Sequence, residues 1–261
     1  MKKLIATSLV LILLIFILTK ISGQKSPEKR LLAKVAVLSD SHSDNENLAR
    51  AIQLAKERQV DSIIHLGDLT KVGTIEELSA AKNTLDEGKI KYYVVPGDHD
   101  LWEGGDTNFK KVFGKTYRVI EENDIMYILM DTSNTEKGIT DTQITWLENQ
   151  LKTNKSKIRF AFGQLPLYDP YNYRTIYEKG GFNEKVKKEA EVVLELFKKE
   201  KVLVMFSGDH HLSSTYTESS RNVTIRTVGA LSRERNLQTP RFDILKVYQT
   251  GEFEIEEVVL E

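Results

Sequence analysis

Five short apolar runs in this chain end alike, with Asp, His or Gln within a few residues of the last apolar side chain. They are "KVAVLSD" (34–40), "DSIIHLGD" (61–68), "KYYVVPGDHD" (91–100), "KIRFAFGQLP" (157–166) and "KVLVMFSGDHH" (201–211). Runs of Val, Ile and Phe with few polar alternates suit strands buried on both faces. Such strands need a layer on each side. The sequence supplies helical patterns between them, at 45–59, 74–88, 140–152 and 183–200, with a shorter one near Thr107–Phe113. Strand–helix alternation predicts parallel pairing through helical crossovers, an α/β fold. Further strands are expected at about 116–120 and 125–130. The tail (223–228, 242–249 and 252–259) reads as strands of a second, partly antiparallel sheet.

Composition narrows the chemistry. With 40% hydrophobic and 29% charged residues the chain can bury one sizeable core. There is no cysteine, which excludes disulfides, thiolate zinc sites and a cysteine nucleophile. Residues 31–261 hold 31 basic and 37 acidic side chains, a net charge of −6. That body gives no reason to expect a nucleic-acid partner.

The first residues, "MKKLIATSLVLILLIFILTKIS", place two lysines before an apolar run from Leu4 to Leu18. Its length suits a signal anchor or a signal peptide. The expected organisation is therefore residues 1–21 as that N-terminal segment, 22–31 as a linker and 32–261 as the folded domain. The domain would be membrane-anchored on the extracytoplasmic side, or secreted.

In open α/β sheets the C-terminal strand ends converge on one crevice. Here those ends carry Asp40 and His42, Asp68, Asp98 with His99 and Asp100, Gln164, and Asp209 with His210 and His211. Any one of these is an ordinary turn residue on its own. The recurrence is the signal, because four of the five histidines fall within the set.

The order Asp40-x-His42, Gly67-Asp68, Gly97-Asp98-His99-Asp100, Gln164-x-Pro166 and Gly208-Asp209-His210-His211 resembles the calcineurin-like metallophosphoesterases. The segment "MDTSNTEKGITDTQITWLENQL" (130–151) is similar to the family's path from a strand-end Asp into a helix. The resemblance implies a two-sheet β-sandwich flanked by helices, in four layers αββα, with two divalent metal ions. Asp40, His42, Asp68 and His211 match the first ion's ligands, and Asp68 the bridging one. His99 matches a residue near the leaving group, a general acid oriented by Asp68 or Asp100. The implied reaction is phosphoester hydrolysis by a metal-activated water.

The second site departs from that pattern three times. Asp98 stands where Asn is usual, and Gln164 and Asp209 where His is usual. Asp68, Asp98, Gln164 and Asp209 would form an all-oxygen set that favours Mg, Mn or Ca. The first set, with two imidazoles, suits Mn, Fe or Zn. The extra carboxylates make the centre more neutral, so a catalytically weak or inactive metal-binding protein on the same fold is the rival reading. Arg174 and Tyr168, after Pro166, are candidates for a substrate pocket, Arg174 restoring positive charge. His65 reads as a packed histidine, His210 as the alternative ligand to Asp209, and Trp102 as a packing residue.

Overall fold

A computed structural model describes residues 29–261, apart from 135, 155, 157 and 180–183. The expected N-terminal anchor and most of the linker lie outside these residues. Among the described residues no helix is long and apolar enough to cross a membrane.

The strands are β1 (Leu31–Leu38), β2 (Ser62–His65), β3 (Lys91–Val94), β4 (Arg118–Glu122), β5 (Ile125–Leu129), β6 (Ile158–Phe162), β7 (Val204–Ser207), β8 (Ser214–Glu218), β9 (Val223–Thr227), β10 (Arg241–Tyr248) and β11 (Phe253–Val259). The main helices are α1 (Asn45–Glu57), α2 (Ile75–Glu87), α3 (Asp106–Phe113), α4 (Asp141–Thr153), the short α5 (Ile176–Lys179) and α6 (Glu184–Lys199). Two sheets form, in the orders β11-β10-β1-β2-β3 and β4-β5-β6-β7-β9-β8. Strands β1, β2 and β3 pair in parallel, as do β5, β6, β7 and β9.

Side-chain alternation explains the layering. Along β1, Val35 and Val37 enter the core between the sheets, while Ala36 and Leu38 face the helices. In the other sheet Tyr127, Phe160, Phe162, Val204 and Phe206 fill the same inner core. Met126, Ile128, Ala161 and Met205 pack outward against α4 and α6. Both faces of both sheets are thus covered, giving the four-layer αββα arrangement. Helix starts are fixed locally. Thr74 and Glu77 close a capping box on α2, and Thr140 caps α4 through Gln143 N.

The tail differs from the sequence expectation. It does not make a sheet of its own: β9 joins β7 in parallel, whereas β10 extends the first sheet antiparallel to β1 and β11 pairs antiparallel with β10. The edge strand β8 carried no sequence signal, because "STYTE" is polar and mostly uncovered.

The fold positions the site by continuing its ladders past the strand ends. Leu66 N donates to Leu38 O (2.8 Å), Asp40 N to Gly67 O (3.1 Å), His42 N to Asp68 O (2.9 Å) and Ser43 N to Leu69 O (2.8 Å). In the second sheet Gly163 N donates to Phe206 O and Gly208 N to Gln164 O. The two sheets are joined at this rim by Ser232 N to Asp40 O (2.9 Å) and Asp209 N to Asp40 Oδ2 (3.1 Å).

Candidate metal centre

Loops after β1, β2, β3 and β7 meet at one rim of the sandwich. Their ligand-bearing residues take an unusual backbone: Asp40, His42, Asp68, Asp209 and His211 all have positive φ, between 44° and 65°. This left-handed region costs most side chains about 1–3 kcal/mol, and Asp and His visit it more readily than most. It turns the side chains of a tight loop back toward a common point. Close approach of the loops also requires glycine. A Cβ on Gly97 would overlap the Asp68 carboxylate and amide, and one on Gly208 would overlap Ser39 Oγ.

Asp40, His42 and His211 place donor atoms within 4.8 Å of one another, and so do His42, Asp68 and His99. His42 Nε2 lies 3.1 Å from His211 Nε2, with Asp40 Oδ1 at 3.5 Å from His211 Nε2 and Asp68 Oδ2 at 3.8 Å from His42 Nε2. An ion with bonds of about 2.1 Å separates its ligands by about 3.0–3.5 Å. Asp40, His42 and His211 are thus spaced close to a coordination shell, and Asp68 approaches the same His42 nitrogen from the adjoining cluster. The Arg235 carbonyl faces His211 Nδ1 (3.3 Å), so that nitrogen carries the proton and Nε2 presents its lone pair to the centre.

The charge distribution fits a cation equally well. Burial, followed by repulsion from Asp40, Asp98, Asp100 and Asp209, pushes the Asp68 carboxyl well above its ordinary range. Asp40 goes the other way: burial opposes its charge, but His211 and His42 hold it low. Burial brings His42 down to about 4, so its imidazole is neutral at pH 7, the form a metal needs. These residues therefore fit a divalent ion held by Asp40, His42, Asp68 and His211.

His99 sits on the opposite wall. Its backbone N donates to Asp68 Oδ1 (3.0 Å), and its Nδ1 is held by the Lys71 carbonyl (2.6 Å). The expected orienting role of Asp100 is not observed, because that carboxylate is engaged by Thr70 N, Thr70 Oγ1 and Gly97 N. It ties the β2 and β3 loops together instead.

The second expected set is only partly assembled. Asp68, Asp98 and Asp209 bring oxygens within 4.8 Å. Gln164 donates its side-chain N–H to Asp40 Oδ1 (3.0 Å), and its Oε1 is buried without a hydrogen-bond partner. Arg174 reaches into the set: its Nε donates to Asp209 Oδ2 and its Nη2 to Asp98 Oδ2 (3.2 Å). Burial opposes the guanidinium charge, but Asp209, Asp98 and Asp68 outweigh it and raise its pKa further.

The remaining residues separate cleanly. His210 is no ligand; its Nε2 donates to the Arg174 carbonyl (2.9 Å). Tyr168 does not line the cleft, because its ring packs on Tyr177 and Tyr216 behind the second sheet. Trp102 is not packed away either; it is 68% exposed and meets His99 edge-on at 5.1 Å. Arg235 and Leu237 also line the cleft of about 460 Å³, and sequence reasoning missed both. They sit in a loop whose residues carry no period or motif.

His65 is fully buried between Ser41 Oγ (3.4 Å) and Gly67 N (3.3 Å). Burial lowers its pKa from 6.5 to about 4. The unfolded chain therefore takes up a proton that the folded chain refuses. His65 contributes stability that is fully present above pH 6.5 and is lost as pH falls toward 4. The expected loss is about 3 kcal/mol, with His42 adding in the same sense. Denaturant titration of the metal-free protein at pH 7 and pH 4 measures it; in His65→Gln the proton uptake on unfolding near pH 5 should drop by about one.

A buried Asp/His cluster thus lies at the joined ends of two parallel-cored sheets. The family described as calcineurin-like phosphoesterase matches residues 33–213, more than half of the chain. The chain belongs to that family. A probable glycerophosphodiester phosphodiesterase from Arcobacter nitrofigilis is 35% identical over 104 residues. That match covers 35% of this chain and 36% of the relative's length. The fold is shared with a dimetal phosphatase from Danio rerio (TM-score 0.64, 12% identity, 89% of this chain and 100% of that one). It is also shared with a purple acid phosphatase from yellow lupin (TM-score 0.67, 14% identity, 89% of this chain and 52% of that one).

Proposed function

We propose that the chain hydrolyses phosphoesters of organic alcohols in the cleft formed by His42, Asp68, His99, Arg174, His211 and Arg235. The carrying observation is the spacing of four donors, from Asp40, His42, Asp68 and His211, against the wall that holds His99. A divalent ion held there, of the Mn, Fe or Zn class that suits two imidazoles, supplies Lewis acidity and a more acidic water. The second position, at Asp68, Asp98 and Asp209, has the oxygen donors that Mg, Mn or Ca prefer, and Arg174 lies on two of them.

The chain's own residues divide the work. Arg174 and Arg235 supply fixed positive charge for the phosphoryl oxygens. The Lys71 carbonyl fixes Nδ1–H of His99, which leaves Nε2 as the nitrogen that exchanges a proton with the cleft. Water oxygen bonds to phosphorus, the ester P–O bond breaks, and the departing alkoxide takes its proton from His99. Exposed Trp102 and Leu237 offer apolar surface to the alcohol. The Arcobacter relative is named for a diesterase, which puts phosphodiesters first in a substrate trial. Residues 1–21 would tether or export the domain.

The test is turnover of 4-nitrophenyl mono- and diesters by the full chain supplied with Mn²⁺, Fe²⁺, Zn²⁺, Mg²⁺ or Ca²⁺ in turn. His99→Ala should lower kcat by about 10²–10⁴-fold without removing the metal. Bound metal with no turnover under any ion would instead favour a non-catalytic metal-binding protein.

A further inference from the structure

Arg174 is built into the centre rather than laid over it. Its guanidinium spans the carboxylates of Asp98 and Asp209, the two that would cradle a second ion together with Asp68. Its backbone is pinned on both sides. His210, with a side chain only 3% exposed, donates Nε2–H to the Arg174 carbonyl (2.9 Å), and Arg174 N donates to Asn172 Oδ1 (2.9 Å). Just beyond, Ile176 N and Tyr177 N donate to the carbonyls of Pro166 and Leu167 (3.0 Å each). The loop carrying Arg174 is thereby fastened to the strand end that carries Asp209.

Gln164 stands apart. Its N–H is committed to Asp40 (3.0 Å), while its Oε1 is buried without a hydrogen-bond partner, so it braces the first set and is not held by the guanidinium. Two cations on the same pair of carboxylates repel each other, and the guanidinium is the one this chain fixes covalently. Planar N–H donors need anionic oxygen acceptors, which Asp98 and Asp209 supply. The departures at 98 and 209 then have one shared cause.

We propose that this centre holds one divalent ion, at Asp40, His42, Asp68 and His211, and that the Arg174 guanidinium takes the place of a second one. The inference rests on the phosphoesterase reading for its use: two of the five guanidinium N–H groups hold the carboxylates, and the others face phosphoryl oxygens. His210 is the positioning residue that holds Arg174 over the acids.

Metal counting tests this without reference to turnover. The full chain is loaded with Mn²⁺ and dialysed, metal per chain is measured by elemental analysis, and the EPR spectrum is recorded. Wild type should hold one ion with an uncoupled signal. Asp98 Oδ1 and Asp209 Oδ1 are buried without a hydrogen-bond partner, so Arg174→Met opens ready acceptors. That variant should take up a second ion at least tenfold more tightly than wild type and show a spin-coupled pair. Arg174→Lys, which keeps the charge, should stay at one, and His210→Ala should bind the second ion with intermediate affinity. Two coupled ions in wild type would overturn the proposal and leave the phosphoesterase reading standing. One ion in both wild type and Arg174→Met would also overturn it. No bound ion in wild type would overturn both.

Discussion

Asp68→Asn should cost at least about a thousandfold in kcat/KM while making the metal-free protein more stable, not less. The two effects share one origin. Asp68 is 1% exposed, belongs to two of the three candidate ion clusters, and faces Asp40, Asp98, Asp100 and Asp209. Without a cation its charge is opposed by burial and by those four neighbours, so the neutral amide relieves repulsion. Since the folded-state pKa is raised, the carboxyl favours folding only while protonated and penalises it at pH 7. The amide oxygen can still accept from His99 N (3.0 Å in the wild type), which preserves the loop. With the ion, the amide supplies a weaker donor and one fewer negative charge. Lewis-acid stabilisation worth several kcal/mol corresponds to about 10³-fold or more in rate. Elemental analysis, kcat/KM and denaturant midpoints measured on one preparation check both halves. Retained turnover, or a metal-free variant less stable than wild type, would count against this account of the centre.

Arg226→Ala should destabilise the fold by about 3–5 kcal/mol, although it lies outside the cleft. Arg226 belongs to β9 in one sheet and Asp243 to β10 in the other. Its Nε and Nη2 donate to the two Asp243 oxygens at 2.7 and 2.8 Å, and Nη2 also reaches Glu257 (3.1 Å). Asp243 is fully buried, so truncating the arginine leaves a carboxylate without water or its hydrogen-bonded counter-charge, with only the weaker field of Arg241 beside it. Replacing both partners, as in Arg226→Met with Asp243→Leu, should recover most of the loss, because the penalty belongs to the orphaned charge. Urea titrations of the two single variants and the double variant form the cycle that decides it. A mild effect of Arg226→Ala would mean that the clamp is replaceable by water.

How far the sequence was legible follows from how local each signal is. Strands β1, β5 and β6 could be read because burial on both faces writes itself as an unbroken apolar run. Asp40, His42, Asp68 and His211 could be read because they occupy strand ends in a motif with fixed spacing. Pairing of the tail could not, since whether β10 lies beside β1 or β9 is decided by long-range packing. The loop from Tyr168 to Thr175 was legible in part: Arg174 lines the cleft as expected, and Tyr168 does not. Nothing in "YDPYNYRT" says that the tyrosine turns back onto Tyr216 while the arginine crosses to Asp98 and Asp209.

The left-handed turns of the ligand loops narrow which mutations this centre can accept as it evolves. At 40, 42, 68, 209 and 211 a β-branched side chain would clash with its own backbone before its chemistry mattered, so replacements drift among Asp, Asn, His and Gly. Position 209 carries Asp, a member of that short alphabet. Asp98 sits in ordinary helical backbone (φ −65°), and Gln164 is not among the left-handed residues. Selection could rewrite those two freely. The geometry of the chain thus channels innovation toward one half of the pocket and freezes the other.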